Sequence, residues 1–134
     1  MTPYLVGFGS ALAAAIFAHV VGFDRGRSFY PTVLTVIACI YGLFAVMGGS
    51  MHALVWESVV GSGFILVAVW GFKRSPWLTV AGLAGHGVFD FFHGGLIANP
   101  GMPVYWPAFC GTYDVAAAVF LAWLMRRGNI ATEN

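Results

Sequence analysis

The chain has 134 residues, of which 60% are hydrophobic and only 8% are charged, and its formal net charge is +1. Soluble domains carry about 25% charged residues, so this composition excludes an ordinary water-soluble protein and is typical of an integral membrane protein. The Lys and Arg residues occur as short scattered pairs. They form no continuous basic surface, which argues against a nucleic-acid partner.

Apolar runs long enough to cross a bilayer recur along the chain. A helix of about 20 residues spans the roughly 30 Å hydrocarbon layer. Five such runs are separated by polar or Gly- and Pro-rich breaks, at residues 3–23, 30–48, 51–72, 77–98 and 104–125. No basic segment marks the first run as a cleavable signal. The sequence therefore predicts an all-α bundle of five transmembrane helices, forming a single domain over residues 1–134.

The basic residues predict the orientation of this bundle. All six follow the first, third and fifth predicted helices, as Arg25 and Arg27, Lys73 and Arg74, and Arg126 and Arg127. Cytoplasmic loops of membrane proteins are enriched in Lys and Arg. The N-terminus is therefore predicted to be exported and the C-terminus cytoplasmic. Because no organelle signal is apparent, the predicted location is a prokaryotic cytoplasmic, or inner, membrane.

Small residues at helical spacing predict where helices approach closely. Gly7, Ala11 and Ala15 form one such stripe in the first helix, and Ala53 and Gly61 form another in the third. Small side chains at membrane helix interfaces let the backbones come near each other.

Ionisable side chains inside the predicted helices mark the candidate site. An ionisable group at membrane depth costs at least about 2.5 kcal/mol, so it is expected to face the protein interior. His86, Asp90 and His93 stand at i, i+4 and i+7 and share one helix face. Asp90 and His93 are similar in spacing to the Glu-x-x-His unit of di-metal carboxylate bundles.

Depth predicts that further residues join this face. At about 1.5 Å per helical residue, four side chains lie roughly 6 to 15 Å below the exported face: Glu57, Asp90, His93 and Asp114. His52 lies above this level, and His86 lies below it. Cys110 and Tyr113 enter at a similar level from the fifth helix, so the sequence predicts one polar chamber opening to the exported face.

Two chemical uses of this chamber are predicted. Carboxylates and imidazoles bind Zn²⁺, Fe or Mn, and the predicted metal ligands are His52, Glu57, His86, Asp90 and His93. Without a metal, Glu57, His86, Asp90 and Asp114 are the predicted catalytic acids and bases, since burial shifts such groups toward useful protonation states. The alternative is a structural seam of satisfied hydrogen bonds.

The leading functional prediction is a small metal-dependent or acid/base membrane enzyme that acts on a lipid-phase or amphipathic substrate. A proton or metal-ion transporter using the same residues as a relay is the first alternative. An accessory subunit of a membrane complex, with a haem held by two histidines, is the second. The predicted partners are the lipid bilayer and a lipid-like substrate, and a homo-oligomer or a larger complex stays open.

Overall fold

The computed structural model describes residues 1–130 as a set of five α-helices. In chain order these are α1 (Thr2–Val21), α2 (Phe29–Met47), α3 (Met51–Lys73), α4 (Pro76–Leu96) and α5 (Trp106–Arg126). A short 3-10 helix, Phe23–Arg25, follows α1. The predicted all-α class is confirmed, and each helix end lies within two residues of its predicted position. The C-terminus, predicted to be cytoplasmic, lies outside the described residues.

Four of the five helices are long and apolar enough to cross a membrane. These are α1, α2, α3 and α5, with mean hydropathies between 1.6 and 1.9. The α4 helix has 21 residues, the same length as α5, but it is not among these four helices, because His86, Asp90 and His93 lower its mean hydropathy. The composition of the four apolar helices indicates a membrane protein. The crossing by α4, and with it the fifth span, stays a prediction.

The helices pack side by side in the order α2, α3, α4, α5 and α1, and α2 also contacts α4 across the interior. The α1 helix lies at the edge of the bundle, where it packs against α5. The small stripe Gly7, Ala11 and Ala15 is buried, and a Cβ atom on Gly7 would collide with the carbonyl oxygen of Phe109. The predicted close contact of the first helix is confirmed.

Glycines also bring α4 and α5 close together at the middle of the bundle. A Cβ atom on Gly87 would lie 2.9 Å from the carbonyl oxygen of Gly111, and one on Gly111 would lie 3.0 Å from the carbonyl oxygen of Gly87. Between α2 and α3, a Cβ atom on Gly61 would lie 2.7 Å from the carbonyl oxygen of Ala38. These contacts set the spacing of the helices around the polar interior.

The loop between α4 and α5 folds over the end of α2 that is predicted to be exported. The Asn99 side chain donates a hydrogen bond from Nδ2 to the backbone oxygen of Tyr41 at 3.0 Å. Gly101 lies directly against the backbone of Phe44 and Gly48, where a Cβ atom would collide with the Phe44 carbonyl oxygen. The loop therefore covers this end of the bundle.

An apolar layer lies on the other side of the polar interior. Leu34, Leu83 and Leu121, from α2, α4 and α5, are at most 2% exposed and belong to one hydrophobic cluster. Leu83 stands one helical turn before His86 along α4. The leucines thus separate the polar interior from the end of the bundle where α4 begins.

Candidate metal centre

Four side chains from two helices converge in the interior of the bundle. His86 and Asp90 come from α4, and Cys110 and Asp114 come from α5. All four residues are at most 3% exposed. One potential ligand atom of each residue lies within 4.8 Å of those of the others. We refer to these four residues as the four-residue cluster.

Helical spacing explains why the cluster forms. His86 and Asp90 are four residues apart on α4, and Cys110 and Asp114 are four residues apart on α5. Residues at i and i+4 lie one above the other on the same helix face. The glycine contact between α4 and α5 then brings the two faces together, because a Cβ atom on Gly87 would lie 3.2 Å from the Asp114 Cβ atom.

The imidazole of His86 lies between two carboxylates. Its Nδ1 atom is 2.7 Å from Oδ2 of Asp114 and 3.5 Å from Oδ2 of Asp90. Oδ2 of Asp90 and Oδ1 of Asp114 are buried without a hydrogen-bond partner among the described residues. Buried polar atoms are nearly always paired, and an unpaired one is costly. These oxygens therefore have free capacity to bind a proton or a cation.

A second carboxylate and imidazole pair lies beside the cluster, formed between α3 and α4. Nε2 of His93 is 2.8 Å from Oε1 of Glu57, and Nδ2 of Asn99 donates to the same oxygen at 2.9 Å. Glu57 and His93 are at most 2% exposed. Nδ1 of His93 has no hydrogen-bond partner among residues 1–130. This pair keeps an unused ring nitrogen in the interior.

Tyr41 of α2 joins the two groups. Its hydroxyl donates a hydrogen bond to Oδ1 of Asp90 at 2.7 Å. Its ring stacks on the imidazole of His93, with the ring centroids 4.1 Å apart. Because Oδ1 of Asp90 is held by the tyrosine, Oδ2 is the oxygen that faces His86. The polar interior is thus continuous from the Asn99 loop to Asp114.

The charges of these residues do not balance when all of them are ionised. Glu57, Asp90 and Asp114 supply three carboxylates, whereas His86 and His93 supply two imidazoles. An uncompensated charge inside a protein costs several kcal/mol. A divalent cation would offset the charge of the two aspartates, with His86 uncharged and Glu57 paired to protonated His93. A Cys110 thiolate bound to the same cation would add one negative charge, which a proton on one of the aspartates would offset. An additional proton on a carboxylate is the other way to reach neutrality.

The donor atoms of the cluster suit a transition metal. An imidazole nitrogen, a cysteine sulfur and two carboxylate oxygens are all ligands of Zn²⁺ and Fe, and the sulfur favours these ions over Mg²⁺ or Ca²⁺. The buried His, Asp, Cys and Asp group can therefore hold a metal ion. Residue type alone does not fix which ion it is.

The structure brings most of the predicted site residues into the interior, but in two groups. His86, Asp90 and Asp114 belong to the four-residue cluster, and Glu57 pairs with His93 beside it. His52, which the sequence analysis included among the metal ligands, lies apart from both groups.

His52 is exposed, and its Nε2 atom accepts a hydrogen bond from Trp56 Nε1 at 3.3 Å. It stands on the α3 face that points away from Glu57, because the two residues are five positions apart. It is thus an exposed neighbour of Trp56 in this structure.

The site is closed where the sequence predicts an opening to the exported face. Asn99 is 8% exposed and bonds both to Glu57 and to the backbone of Tyr41. These two hydrogen bonds hold the loop over the end of α2. The physical reason for the difference is that an amide side chain satisfies buried acceptors, which draws the loop inward instead of leaving it in water.

Three residues of the site carry weak signals in the sequence. Cys110 precedes Asp114 by four positions, which repeats the spacing of His86 and Asp90, and this match is a usable signal for a ligand. Tyr41 looks like an ordinary aromatic residue of an apolar helix. Asn99 stands in a run of turn residues, where its side chain is expected to cap or to face water.

In comparisons with known proteins, no protein-family model, no curated protein and no solved structure matches the chain. The function is therefore argued from the geometry of the site.

Proposed function

We propose that the protein is an integral membrane enzyme that binds a divalent metal ion at the four-residue cluster and acts on a lipid-phase substrate. The observation that carries this proposal is the convergence of four potential ligand atoms within 4.8 Å of one another in a buried interior. Two helices supply these atoms in matched i and i+4 pairs.

A metal site accounts for the cluster better than a structural seam does. A seam is expected to satisfy its polar atoms, since a partly satisfied buried network costs more than an apolar core. Here Oδ2 of Asp90 has only a 3.5 Å contact with Nδ1 of His86, and Oδ1 of Asp114 has no hydrogen-bond partner among the described residues. A cation bound by both carboxylates would satisfy these oxygens and offset their charge.

The neighbouring Glu57 and His93 pair supports an enzyme over a protein with a purely structural metal. A structural metal needs its ligands alone, whereas an enzyme also needs a group that moves protons. Glu57 and His93 are hydrogen-bonded to each other at 2.8 Å. The ring of Tyr41 stacks on His93, and its hydroxyl donates to Asp90, so the pair lies next to the cluster. In this proposal the metal supplies Lewis acidity, and the pair serves as the acid and base.

The proposed membrane arrangement has five spans, with α4 crossing together with the four apolar helices. The α4 helix has 21 residues and packs between α3 and α5. Its polar side chains are buried against those neighbours, so they do not meet lipid. The basic pairs support an arrangement with the N-terminus outside and the C-terminus in the cytoplasm, and an inner membrane of a prokaryote is the proposed location. A substrate of such a site would enter from the lipid phase.

The two alternatives have less support. A transporter needs a polar path through the bundle, and the fully buried layer of Leu34, Leu83 and Leu121 interrupts it. A haem held by two histidines needs one on each side of its plane, but His86 and His93 lie on the same helix and each pairs with a carboxylate.

Metal analysis of the detergent-purified protein tests the metal site. We expect about one transition-metal ion per chain in the wild type, and its loss in Asp114→Ala and Cys110→Ser. His52→Ala is the matched control, because His52 is exposed and outside the cluster; it is expected to keep the metal. Equal metal content in all four proteins would refute this ligand set. If the wild type takes up no metal after reconstitution, acid and base catalysis without a metal is the one remaining form of the proposed enzyme.

Turnover tests the enzyme. Lipid extracts incubated with metal-loaded wild type are expected to show a changed lipid species by mass spectrometry, and Glu57→Gln is expected to form it at least about 100-fold more slowly, which is typical for a lost acid or base. The metal content of Glu57→Gln serves as the control for folding. If metal-loaded wild type changes no lipid species, the protein binds a metal without this activity.

A further inference from the structure

An apolar groove runs along the outer face of α5. It has a volume of about 510 Å³, within the range of about 300–1,000 Å³ that small-molecule sites occupy. The α1 helix forms one wall with Phe8, Ala11 and Leu12, and Phe91 of α4 closes the other side. Among the described residues that line it, Thr112 contributes a hydroxyl group and Trp123 an indole nitrogen, and the others are apolar. The groove therefore has the surface of a site for a hydrocarbon chain.

The length of the groove matches one leaflet of a bilayer. Along α5 it extends from Thr112 to Trp123, and eleven residues of helix cover about 16 Å. Half of a hydrocarbon layer of roughly 30 Å is about 15 Å. Trp123 stands near the end of α5 that is predicted to be cytoplasmic, where tryptophan marks the membrane interface. An acyl chain lying in the groove would thus start at this interface and end near the bilayer centre.

Two arginines stand at the interfacial end of the groove. The guanidinium group of Arg127 lies 5.0 Å from the centroid of the Trp123 ring, which itself lines the groove. Arg126 precedes it, and both side chains are exposed. The ion pairs found among residues 1–130 involve histidines and no arginine at this end. Arginine binds phosphate well because its planar group offers paired donors.

From these observations we propose that the groove binds an anionic phospholipid, with one acyl chain between α1 and α5 and the phosphate at Arg126 and Arg127. The apolar lining of the groove favours a hydrocarbon chain, and the length of the groove fits the chain of one leaflet. The two arginines at the end of the groove favour an anionic head group. This site is separate from the four-residue cluster and does not depend on the proposed enzyme activity. The lipid would hold α1 to α5 at the edge of the bundle.

Native mass spectrometry of the full chain with added lipids tests the proposal. The probes are phosphatidylglycerol and phosphatidylcholine with identical acyl chains. Wild type is expected to bind phosphatidylglycerol more tightly. In Arg126→Gln/Arg127→Gln this binding is expected to weaken about 25-fold at low ionic strength, since each basic residue near an anionic lipid contributes about fivefold. Lys73→Gln/Arg74→Gln removes the same charge from the end of α3, away from the groove, and is expected to leave binding unchanged.

A second pair of variants tests whether the acyl chain binds in the groove. Ala116→Phe fills the groove, because Ala116 lines it, and it is expected to weaken binding of both lipids. Ala13→Phe places the same ring on an exposed position of α1 outside the groove and serves as its control. If Ala116→Phe fails to fold, the arginine variants still decide the question.

Several outcomes would overturn the proposal. Equal affinity for the two lipids, or equal loss in both double-charge variants, would mean that the groove holds ordinary bilayer lipid. Competition by soluble glycerol phosphate as strong as by the lipid would show a phosphate site without an acyl chain seat. A dimer that persists after delipidation and is lost in Ala116→Phe would show that a second copy of the chain fills the groove.

Discussion

Each buried carboxylate of the bundle interior is held by an aromatic or imidazole side chain from another helix. Asp90 of α4 accepts from Tyr41 of α2 at 2.7 Å. The Asp114 contact with His86 links α5 to α4, and the Glu57 contact with His93 links α3 to α4. Single residues therefore decide both the protonation chemistry of the interior and the joining of the helices.

Tyr41→Phe tests this role of a single residue. The change removes the hydroxyl that fixes Oδ1 of Asp90 but keeps the ring that stacks on His93. If Asp90 is a metal ligand, loss of this supporting bond is expected to weaken metal affinity by about 10- to 100-fold. A cobalt or zinc titration of the purified protein measures the affinity.

Tyr30→Phe is the matched control for that substitution. Tyr30 is also a buried tyrosine of α2, but its hydroxyl has no hydrogen-bond partner among the described residues. Its loss is expected to leave the metal affinity unchanged. The same affinity in Tyr41→Phe and wild type would show that the tyrosine does not orient a ligand.

At the scale of the element, the contact between α4 and α5 decides whether the cluster can form. The α4 helix carries buried glycines on the same side as its polar residues, and Gly87 stands between His86 and Asp90. A Cβ atom there would lie 2.9 Å from the backbone of Gly111, so any larger side chain must separate the helices. The chemistry of the site thus depends on a position without a side chain.

Gly87→Ala is expected to lower both stability and metal content. The inserted methyl group overpacks the helix contact, with a cost of about 1–3 kcal/mol, and it moves Asp114 away from His86. Thermal unfolding in detergent and metal analysis measure the two effects. Gly94→Ala is the control in the same helix, because a Cβ atom on Gly94 meets no heavy atom of residues 1–130 within 4 Å.

Alanine is the better helix former by about 1 kcal/mol, so Gly94→Ala is expected to unfold at the same temperature as wild type or at a higher one. If Gly87→Ala behaves in the same way and keeps its metal, the close approach of α4 and α5 is not needed for the site.

At the scale of the whole molecule, the crossing by α4 decides the number of spans. Its mean hydropathy is low because the polar site lies on it, although its polar residues are buried by α3 and α5. The face of α4 that carries these polar residues contacts other helices, so it does not have to be apolar. A helix that is polar inward and apolar outward can cross a membrane as part of a bundle.

Cysteine labelling from the two sides of the membrane tests this crossing. Lys73 and Ala98 stand beyond opposite ends of α4 and are exposed. In a Cys39→Ala background, Ala98→Cys is expected to react with an impermeant maleimide in intact cells, and Lys73→Cys only after permeabilisation. Cys110 is buried and serves as the unreactive internal control. Labelling of both positions from one side would exclude a crossing by α4, and a reversed pattern would invert the predicted orientation.

The sequence alone determined the positions of the helices in this protein and the ionisable side chains that face its interior. Hydrophobic length fixes helix positions because about 20 residues are needed to cross the hydrocarbon layer, and the predicted ends lie within two residues of the structure. The cost of an ionisable group at membrane depth identifies His86, Asp90 and Asp114 as inward-facing, and all three are buried.

The tertiary structure alone decided which of these residues meet. The depth of a residue along its helix does not tell how that helix is rotated relative to its neighbours. The sequence therefore could not show that Glu57 and His93 form a pair apart from the cluster, or that His52 lies outside both groups. Tyr41 joined the site only in the structure. Cys110, which the sequence already placed at the level of the chamber, came close to His86 and Asp90 because glycine contacts set the distance and rotation of the helices. Contacts between helices depend on packing in three dimensions, which the spacing of residues along one helix does not contain.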